Sequence, residues 1–287
     1  MKESKKRLFI IDGYAILYRS HFALIRNPLV TSYGLDTSAL FGFSNQINKI
    51  IQDENPDYLV CAFDCKEKTF RHKIYPKYKA NRPEMPVELQ EQLPHLWELL
   101  DAMNIPVLKK PGFEADDIIG TIADSVKDND IESYIVSGDK DFMQLINEDI
   151  FLYTPGKRNS SPVIYGEDGV QEKWGIPPEK FIDLLALMGD SSDNVPGVAG
   201  VGVKTAVKLL KEYGSLSKVF DNTDKITNKR VHSGLVNCRE EALLSKELVT
   251  IVKDVDIEYS LDQFIIHSYT QENLVKTYEE LEFHALL

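Results

Sequence analysis

The chain has 287 residues, 43% hydrophobic and 27% charged, a composition typical of a soluble globular protein and unlike that of a disordered one. No apolar run approaches the roughly 20 residues that span a bilayer, and no signal-peptide core is present near the start, so we expect a cytoplasmic protein. Three cysteines are too few and too scattered for a disulfide framework or a zinc ribbon. The formal charge of −12 disfavours nucleic-acid binding unless basic residues are clustered.

The first predicted strands each deliver an acid. Residues 7–12, RLFIID, and residues 58–64, YLVCAFD, are short apolar runs typical of buried strands, and they end in Asp12 and Asp64. The carboxyl ends of parallel strands meet at one edge of an α/β sheet, which is where ligands bind. An amphipathic helix is predicted between them, over residues 37–53.

A basic and aromatic strip follows the second strand. Residues 66–82, KEKTFRHKIYPKYKANR, contain seven Lys or Arg and one Glu. Pro76 and the lack of clean periodicity predict a mobile excursion and not a packed element. A strip of this kind beside an acidic cluster indicates a grip on a phosphate backbone, and we assign Arg71 and Tyr78 as nucleic-acid contacts. Composition alone leaves open a solvated loop face, or core packing by the aromatic residues.

Three acids open a later helix. A helix is predicted over residues 87–103, then a short strand and turn, and then the stretch 112–121, GFEADDIIGT. This stretch places Glu114, Asp116 and Asp117 at the first turn of a further helix. Acids at a helix start also stabilise the helix dipole, so simple capping is the alternative.

The next segment repeats the arrangement. Residues 131–141, IESYIVSGDKD, predict a strand followed by a turn with Asp139 and Asp141, either of which could cap a following helix. Residues 150–165 predict two edge strands joined by a turn. Strands alternating with helices predict an α/β fold with a mainly parallel sheet flanked by helices.

After about residue 169 the sequence becomes mostly helical. A predicted helix ends in MGDSSDN, which contains Asp190 and Asp193. The glycine-rich stretch that follows, with a helix from about Lys204, resembles a helix-hairpin-helix over about 190–214, in which backbone N–H groups approach a DNA phosphate. A glycine turn between two packed helices is the alternative.

The acids suggest a chemistry. Gathered without cations, these carboxylates would repel one another strongly. They number nine, from five segments: Asp12, Asp64, Glu114, Asp116, Asp117, Asp139, Asp141, Asp190 and Asp193. Carboxylate ligands without His or Cys favour Mg²⁺ or Mn²⁺ over zinc, and two such ions suit phosphodiester cleavage. Lys79 and Arg82 could neutralise charge on the scissile phosphate, with a solvated loop face as the alternative for both.

Six stretches taken together resemble the 5′ nuclease family, which includes the N-terminal 5′-to-3′ exonuclease domain of bacterial DNA polymerase I and the flap endonucleases. The stretches are FIIDGYAILYRS, CAFDCKEKTFRHKIYPKYKANRPEMP, GFEADDIIGT, IVSGDKDFMQL, LMGDSSDNVPGVAGVGVKTA and YEELEFHALL. The resemblance implies a PIN-like core with a helical arch, and a Mg²⁺-dependent, structure-selective nuclease of DNA replication and repair. Its expected substrates are 5′ flaps, nicks and RNA primers annealed to DNA.

The resemblance also implies roles for the site residues. One ion is expected near Asp12, Asp64, Glu114 and Asp116, and the other near Asp139, Asp141 and Asp190, with Asp117 and Asp193 acting through water. Lys79 and Arg82 match a catalytic basic pair at the base of the arch, beside the catalytic acid Asp116. Tyr18 matches an aromatic that stacks on the substrate, and Thr37, otherwise a helix cap, matches a contact to the template backbone. The duplex-binding hairpin, where carbonyls can also hold K⁺, corresponds to Gly200, Val201, Gly202, Lys204 and Thr205.

We expect a catalytic core over residues 1–169, with the arch at about 66–110, and a helical DNA-binding subdomain over 170–287. The resemblance implies a bacterial, nucleoid-associated monomer that is either part of a DNA polymerase or a stand-alone enzyme. Three other functions remain open: a PIN-like ribonuclease on free RNA, a DNA-junction-binding module without catalysis, and, more weakly, a phosphatase with an acid nucleophile.

Overall fold

The computed structural model describes residues 5–157, 160–266 and 271–287. Its strands are β1 (Lys6–Asp12), β2 (Tyr58–Ala62), β3 (Val107–Leu108), β4 (Ile131–Val136), β5 (Ile150–Thr154) and β6 (Val163–Tyr165). The helices of the first half are α1 (Gly13–Leu24), α2 (Ser38–Glu54), α3 (Phe70–Ile74), α4 (Val87–Ala102), α5 (Ala115–Ser125) and α6 (Glu167–Trp174). Those of the second half are α7 (Phe181–Met188), α8 (Val203–Tyr213), α9 (Leu216–Asp221), α10 (Lys229–Asn237), α11 (Arg239–Val249) and α12 (Gln271–Glu280).

The strands form one six-stranded sheet in the order β3-β2-β1-β4-β5-β6. Neighbouring strands are parallel except β6, which runs antiparallel to β5. The predicted α/β class with a mainly parallel sheet is therefore confirmed. The prediction of two edge strands over residues 150–165 is half wrong, because β5 lies between β4 and β6 and only β6 is at the edge.

Helices cover both faces of the sheet, and the alternating side chains of β1 pack against helices on each face. Successive side chains of a strand point to opposite faces. Phe9 and Ile11 belong to a core cluster with residues of α1, α2, α4 and α12. Leu8 and Ile10 belong to a second cluster with residues of α5, α7 and α8. All four side chains are fully buried, as expected for a central strand of a parallel sheet.

The basic strip is packed, so the prediction of a mobile excursion is wrong. It contains the short helix α3, and the side chains of Arg71 and Tyr78 are buried. Its backbone also binds the loop after α7, since the N–H of Lys79 donates to the carbonyl of Asp193 at 2.9 Å. The strip therefore lies against the carboxyl edge of the sheet. The burial of Arg71 was not evident from the sequence, because the lysines around it are mostly exposed.

The loop 189–202 joins α7 to α8 by close backbone contacts. Gly197 has a φ of 61°, and an added Cβ would lie 2.4 Å from the nitrogen of Gly189. Only glycine fits both the left-handed backbone and this approach. Within the described ranges, no helix combines the length and the apolar character needed to cross a bilayer.

Candidate active site

Two acids of the site follow directly from the sheet. Asp12 is the last residue of β1 and the N-cap of α1, where its Oδ1 accepts from the N–H of Ala15 at 3.2 Å. Its Oδ2 accepts from the hydroxyl of Ser137, just beyond β4, at 2.8 Å. Asp64 lies two residues beyond β2 and accepts from the N–H of Ala115 at 2.9 Å. These bonds bring β1, β2, β4 and the start of α5 to one edge, as predicted.

The acidic helix start divides its three carboxylates between two environments. Glu114 is the N-cap of α5, and its Oε1 lies 2.7 Å from the Nζ of Lys79. Asp116 lies among other acids of the site, because Asp12 and Asp139 both act on its charge. Asp117 points the other way, into the protein. Residues one position apart on a helix differ in direction by about 100°, so adjacent acids cannot share one face.

A second group of acids lies on the turn after β4 and on the loop after α7. Asp139 caps a 3₁₀ helix by accepting from the N–H of Asp141 at 2.9 Å. Asp190 accepts from the N–H of Ser192 at 2.8 Å and is held by backbone bonds to Val195. An open cleft of about 280 Å³ is lined by these acids and their neighbours Arg82, Gly138, Lys140, Ser192 and Asp193. The two acidic groups therefore adjoin at the carboxyl edge.

Burial and neighbouring carboxylates raise the pKa values of several acids in the site. Burial, and then the charges of Asp64 and Asp139, raises the pKa of Asp12 to about 7, against the effect of its two hydrogen bonds. Burial and the charge of Asp139 raise the pKa of Asp141 to about 7. Burial, followed by the charges of Asp12 and Asp139, raises the pKa of Asp116 well above its usual range. Burial together with repulsion between carboxylates is typical of a site that added positive charge would stabilise.

The carboxylate oxygens of this site are the ligand type that hard divalent cations prefer. The converging groups are carboxylates, and the Oδ1 of Asp141 is buried with no hydrogen bond. Within the described residues, no three His, Cys, Asp or Glu side chains are arranged to coordinate one metal ion. Several of the oxygens are instead engaged by lysine and arginine side chains. Side-chain rotation within the cleft is thus required before an ion could be bound.

The predicted catalytic basic pair reaches the acidic edge. The Nζ of Lys79 lies 2.7 Å from Glu114 and 3.8 Å from the Oδ2 of Asp193. Arg82 is half-exposed and pairs with the other oxygen of Asp193. Burial would lower the pKa of Lys79, but the charges of Glu114, Asp116 and Asp193 outweigh it and raise the pKa. Both cations therefore stay charged beside the cleft.

Asp117 is not placed to bind a metal, and Arg71 is not placed to bind DNA. The Arg71 side chain is 2% exposed, and its Nη1 and Nη2 donate to the two oxygens of Asp117 at 2.7 and 2.8 Å. Asp117 also accepts from the N–H groups of Glu114 and Val252. Direct metal ligation by Asp117 and a DNA contact by Arg71 are both disfavoured, because each charge already satisfies the other inside the fold. A role of Asp117 through water stays a prediction.

Tyr78 and Thr37 are also poorly placed as nucleic-acid contacts. The Tyr78 ring is buried and its hydroxyl donates to the Oε2 of Glu114 at 3.1 Å, so it supports an acid of the site. Thr37 is 2% exposed, and its hydroxyl donates to the carbonyl of Leu29 at 3.3 Å. It stands at the N-cap of α2 without a capping bond from its side chain. Tyr18, by contrast, is partly exposed and close enough to Arg82 for that charge to oppose the rise in its pKa on burial.

The stretch predicted to form the duplex-binding hairpin is a glycine-rich loop before α8. Gly202 and Lys204 are exposed, and Thr205 is half-buried. Gly200 has a φ of 83° and lies against the side chain of Arg230, which the sequence did not single out. Val201 is a correction, because its side chain is in the core and its N–H donates to the carbonyl of Val198 at 3.0 Å. Its backbone N–H is therefore not free to bind a phosphate.

Two residues of the site were not assigned from the sequence. Ser137 is fully buried and orients Asp12, and its hydroxyl oxygen accepts from the N–H of Asp139 at 3.0 Å. Lys140 contacts Asp190 and lies 3.2 Å from Asp141. Both lie within SGDKD directly after a predicted buried strand. That position was the only signal available for them in the sequence.

Family models match nearly the whole chain. Residues 7–175 match the 5′-3′ exonuclease N-terminal resolvase-like domain, and residues 176–272 match the 5′-3′ exonuclease C-terminal SAM fold. DNA polymerase I of Bacillus subtilis (strain 168) is 40% identical over 284 residues, and that of Bacillus caldotenax is 41% identical. Each comparison covers 99% of this chain but 32% of the polymerase, so the chain spans about a third of the length of these relatives.

Solved structures share the fold at low sequence identity. T5 5′-exonuclease with bound zinc has a TM-score of 0.73 at 21% identity, covering 98% of this chain and 100% of that one. A variant of the bacteriophage T5 D15 flap endonuclease, in a pseudo-enzyme–product complex with DNA and metal ions, has a TM-score of 0.71 at 22% identity, with 98% and 100% coverage. The catalytic core of Rad2 in complex with DNA substrate has a TM-score of 0.63 at 16% identity, with 97% and 88% coverage.

Proposed function

The chain belongs to the 5′-3′ exonuclease family, and from that premise we propose that it is a structure-selective 5′ nuclease. It hydrolyses phosphodiester bonds of DNA or RNA primers at 5′ flaps and nicks, as exonuclease and flap endonuclease, in replication and repair. The observation that carries the proposal is the convergence of Asp12, Asp116 and Asp141 at one sheet edge, where burial, followed by the charges of neighbouring carboxylates, raises the pKa of each. Acids so destabilised are suited to holding cations.

We propose Mg²⁺ or Mn²⁺ as the cofactor, with two or more ions in the site. Asp12, Asp64, Glu114 and Asp116 would hold one ion, and Asp139, Asp141 and Asp190 the other. When bound, such ions promote formation of hydroxide from water and stabilise charge on the oxygens of an in-line displacement. Asp193 is assigned an indirect role, because Arg82 and Lys79 already engage it.

The chain's own residues position and neutralise the substrate. Lys79 and Arg82 stay charged at the mouth of the cleft, where they can compensate charge on the scissile phosphate. Ser137 fixes the orientation of Asp12 through a 2.8 Å hydrogen bond. The partly exposed ring of Tyr18, near Arg82, is available to stack on a base at the 5′ end.

The hairpin before α8 provides a duplex grip away from the acids. The first turn of a helix has N–H groups without partners in the helix, and these attract a phosphate. Here that turn begins after exposed Gly202 and carries Lys204 and Thr205. We further propose that K⁺ binds the carbonyls of this hairpin, and that the protein acts as a monomer in the bacterial cytoplasm, fused to or working with a DNA polymerase.

A cleavage assay tests the proposal. A 5′-labelled flap duplex should be cleaved near the junction in Mg²⁺ and left intact in EDTA, while Asp116→Asn should lose at least about 10³-fold in rate. Single-stranded RNA of the same length serves as the competing substrate and should be cleaved far more slowly. Preferred cleavage of free RNA would favour a PIN-like ribonuclease, and an intact flap in both Mg²⁺ and Mn²⁺ would favour a binding module.

A further inference from the structure

Lys140 has no part in the proposed function, although it lies in the middle of the site. Its ammonium contacts the Oδ2 of Asp190 and lies 3.2 Å from the Oδ1 of Asp141. These acids come from different segments, the turn after β4 and the loop after α7. One lysine therefore bridges the two carboxylates that are expected to share an ion.

The bridge is partly shielded from solvent. The side chains of Asp190 and Asp141 are 10% and 19% exposed, and that of Lys140 is 31% exposed. Within the described ranges, Lys140 is the only basic residue that forms a salt bridge with either acid. The other hydrogen-bond donors to the Asp190 carboxylate in the described ranges are the N–H and hydroxyl of Ser192, which carry no charge. Without the lysine, two carboxylates would face each other across the cleft.

The surrounding charges keep Lys140 protonated. Burial alone would lower its pKa, but the charges of Asp141, Asp190 and Asp139 outweigh burial and raise it. The Oδ1 of Asp141 is nonetheless left without a well-aligned hydrogen bond. The ammonium thus neutralises charge without satisfying every oxygen, and a divalent cation could replace it with more ligands.

We propose that Lys140 is an internal counter-ion, which holds Asp141 and Asp190 together in the absence of a divalent cation and is displaced when one binds them. The inference rests on the proposed function, because it requires these acids to hold a cation. Lysine suits such exchange, since its ammonium is a single point charge on a flexible stem and is strongly hydrated when released.

Replacing the lysine should have two effects of opposite sign. Lys140→Met removes the competing cation, so Mn²⁺ should bind about tenfold more tightly to the second group of acids. In EDTA the same variant should unfold at a lower temperature than the wild type, because Asp141 and Asp190 then repel each other. Addition of Mn²⁺ should reverse that loss. A lysine with a purely structural role would lower the unfolding temperature with and without Mn²⁺ and would leave Mn²⁺ affinity unchanged.

The experiment titrates Mn²⁺ into the whole chain, follows free Mn²⁺ by electron paramagnetic resonance, and records thermal unfolding with EDTA and with Mn²⁺. Lys140→Arg keeps the charge and should not bind Mn²⁺ more tightly than the wild type. Lys127→Met is the matched control, since Lys127 pairs with Asp124 on the surface.

Equal or weaker Mn²⁺ binding by Lys140→Met would overturn the inference while leaving the proposed function intact. If the wild type bound no Mn²⁺ at all, the proposed function would fail, and this inference with it.

Discussion

Arg71 and Asp117 form a two-point ion pair inside the fold, with guanidinium nitrogens 2.7 and 2.8 Å from the two carboxylate oxygens. The same guanidinium donates to the carbonyls of Leu248 and Thr250, at 2.7 and 2.8 Å. One side chain therefore joins the basic strip, the start of α5 and the C-terminal end of α11. Its polar groups are satisfied by partners from two distant parts of the chain.

Arg71→Met should destabilise the protein by about 3–5 kcal/mol, because it leaves the Asp117 carboxylate buried without its cation. Urea unfolding monitored by circular dichroism measures the change. Arg230→Met, at an exposed arginine, is the matched control and should change stability by less than about 0.5 kcal/mol. A stable Arg71→Met protein that had lost only DNA affinity would instead support a DNA contact by Arg71.

Lys79→Met should slow single-turnover cleavage of a flap substrate by about 10²–10³-fold, because the charge beside Glu114 no longer compensates the phosphate. Lys77→Met removes an exposed lysine two residues away and should retain most of the rate. Rapid-quench kinetics at saturating enzyme separates the chemical step from binding. Equal losses in the two variants would mean that the strip acts only through its overall charge.

Without divalent cations, stability should fall as pH rises from about 5 to 7.5. The folded-state pKa of Asp12 is about 7, above the unfolded value of 3.8. The folded state therefore binds the proton more tightly, and that advantage, present at low pH, is lost as pH rises through 7. One pKa unit corresponds to about 1.4 kcal/mol, so the change should reach about 2 kcal/mol or more.

The difference between the wild type and Asp12→Asn isolates this effect. Asn cannot titrate, so the variant should show a flatter dependence of unfolding free energy on pH in EDTA. Millimolar Mg²⁺ should flatten the wild-type profile as well. Parallel profiles for the two proteins in EDTA would contradict the elevated pKa.

Gly197→Ala should destabilise the protein by more than about 2 kcal/mol and weaken Mn²⁺ binding. The backbone at Gly197 has a φ of 61°, and the new Cβ would lie 2.4 Å from the nitrogen of Gly189. Relief of that clash must move the loop that carries Asp190. Gly202→Ala is the control, since its φ is −99° and no atom lies within 4 Å of the added Cβ. Denaturant unfolding and Mn²⁺ titration of both variants provide the measurements.

The sheet and several of its acids could be predicted because their signals are local. An apolar run followed by an acid identifies both the strand and its carboxyl end, and the structure places Asp12 and Asp64 there. The helix periodicity after residue 114 likewise predicted α5. Parallel topology then brings the strand ends together without any further information.

The environment of individual polar side chains could not be predicted in this way. Arg71 stands among exposed basic residues in the sequence, and its burial depends on partners in α5 and at the end of α11. Asp116 and Asp117 are chemically identical neighbours, and which of them faces the site depends on the rotation of α5 about its axis. The role of Lys140 could not be predicted, because its partner Asp190 lies on a different segment of the chain. Long-range partners decide these cases.

The contacts of Arg71 and Asp117 also bear on how the polypeptide can be divided. The family models change at residue 175/176, yet Arg71 and Asp117 before that point depend on backbone groups of Leu248, Thr250 and Val252 after it. A fragment ending near residue 175 would contain Arg71 and Asp117 but would lack the backbone groups that hydrogen-bond to them from the second half. We therefore expect the two halves to be inherited as a unit, and recombination between homologues to be tolerated poorly at that junction.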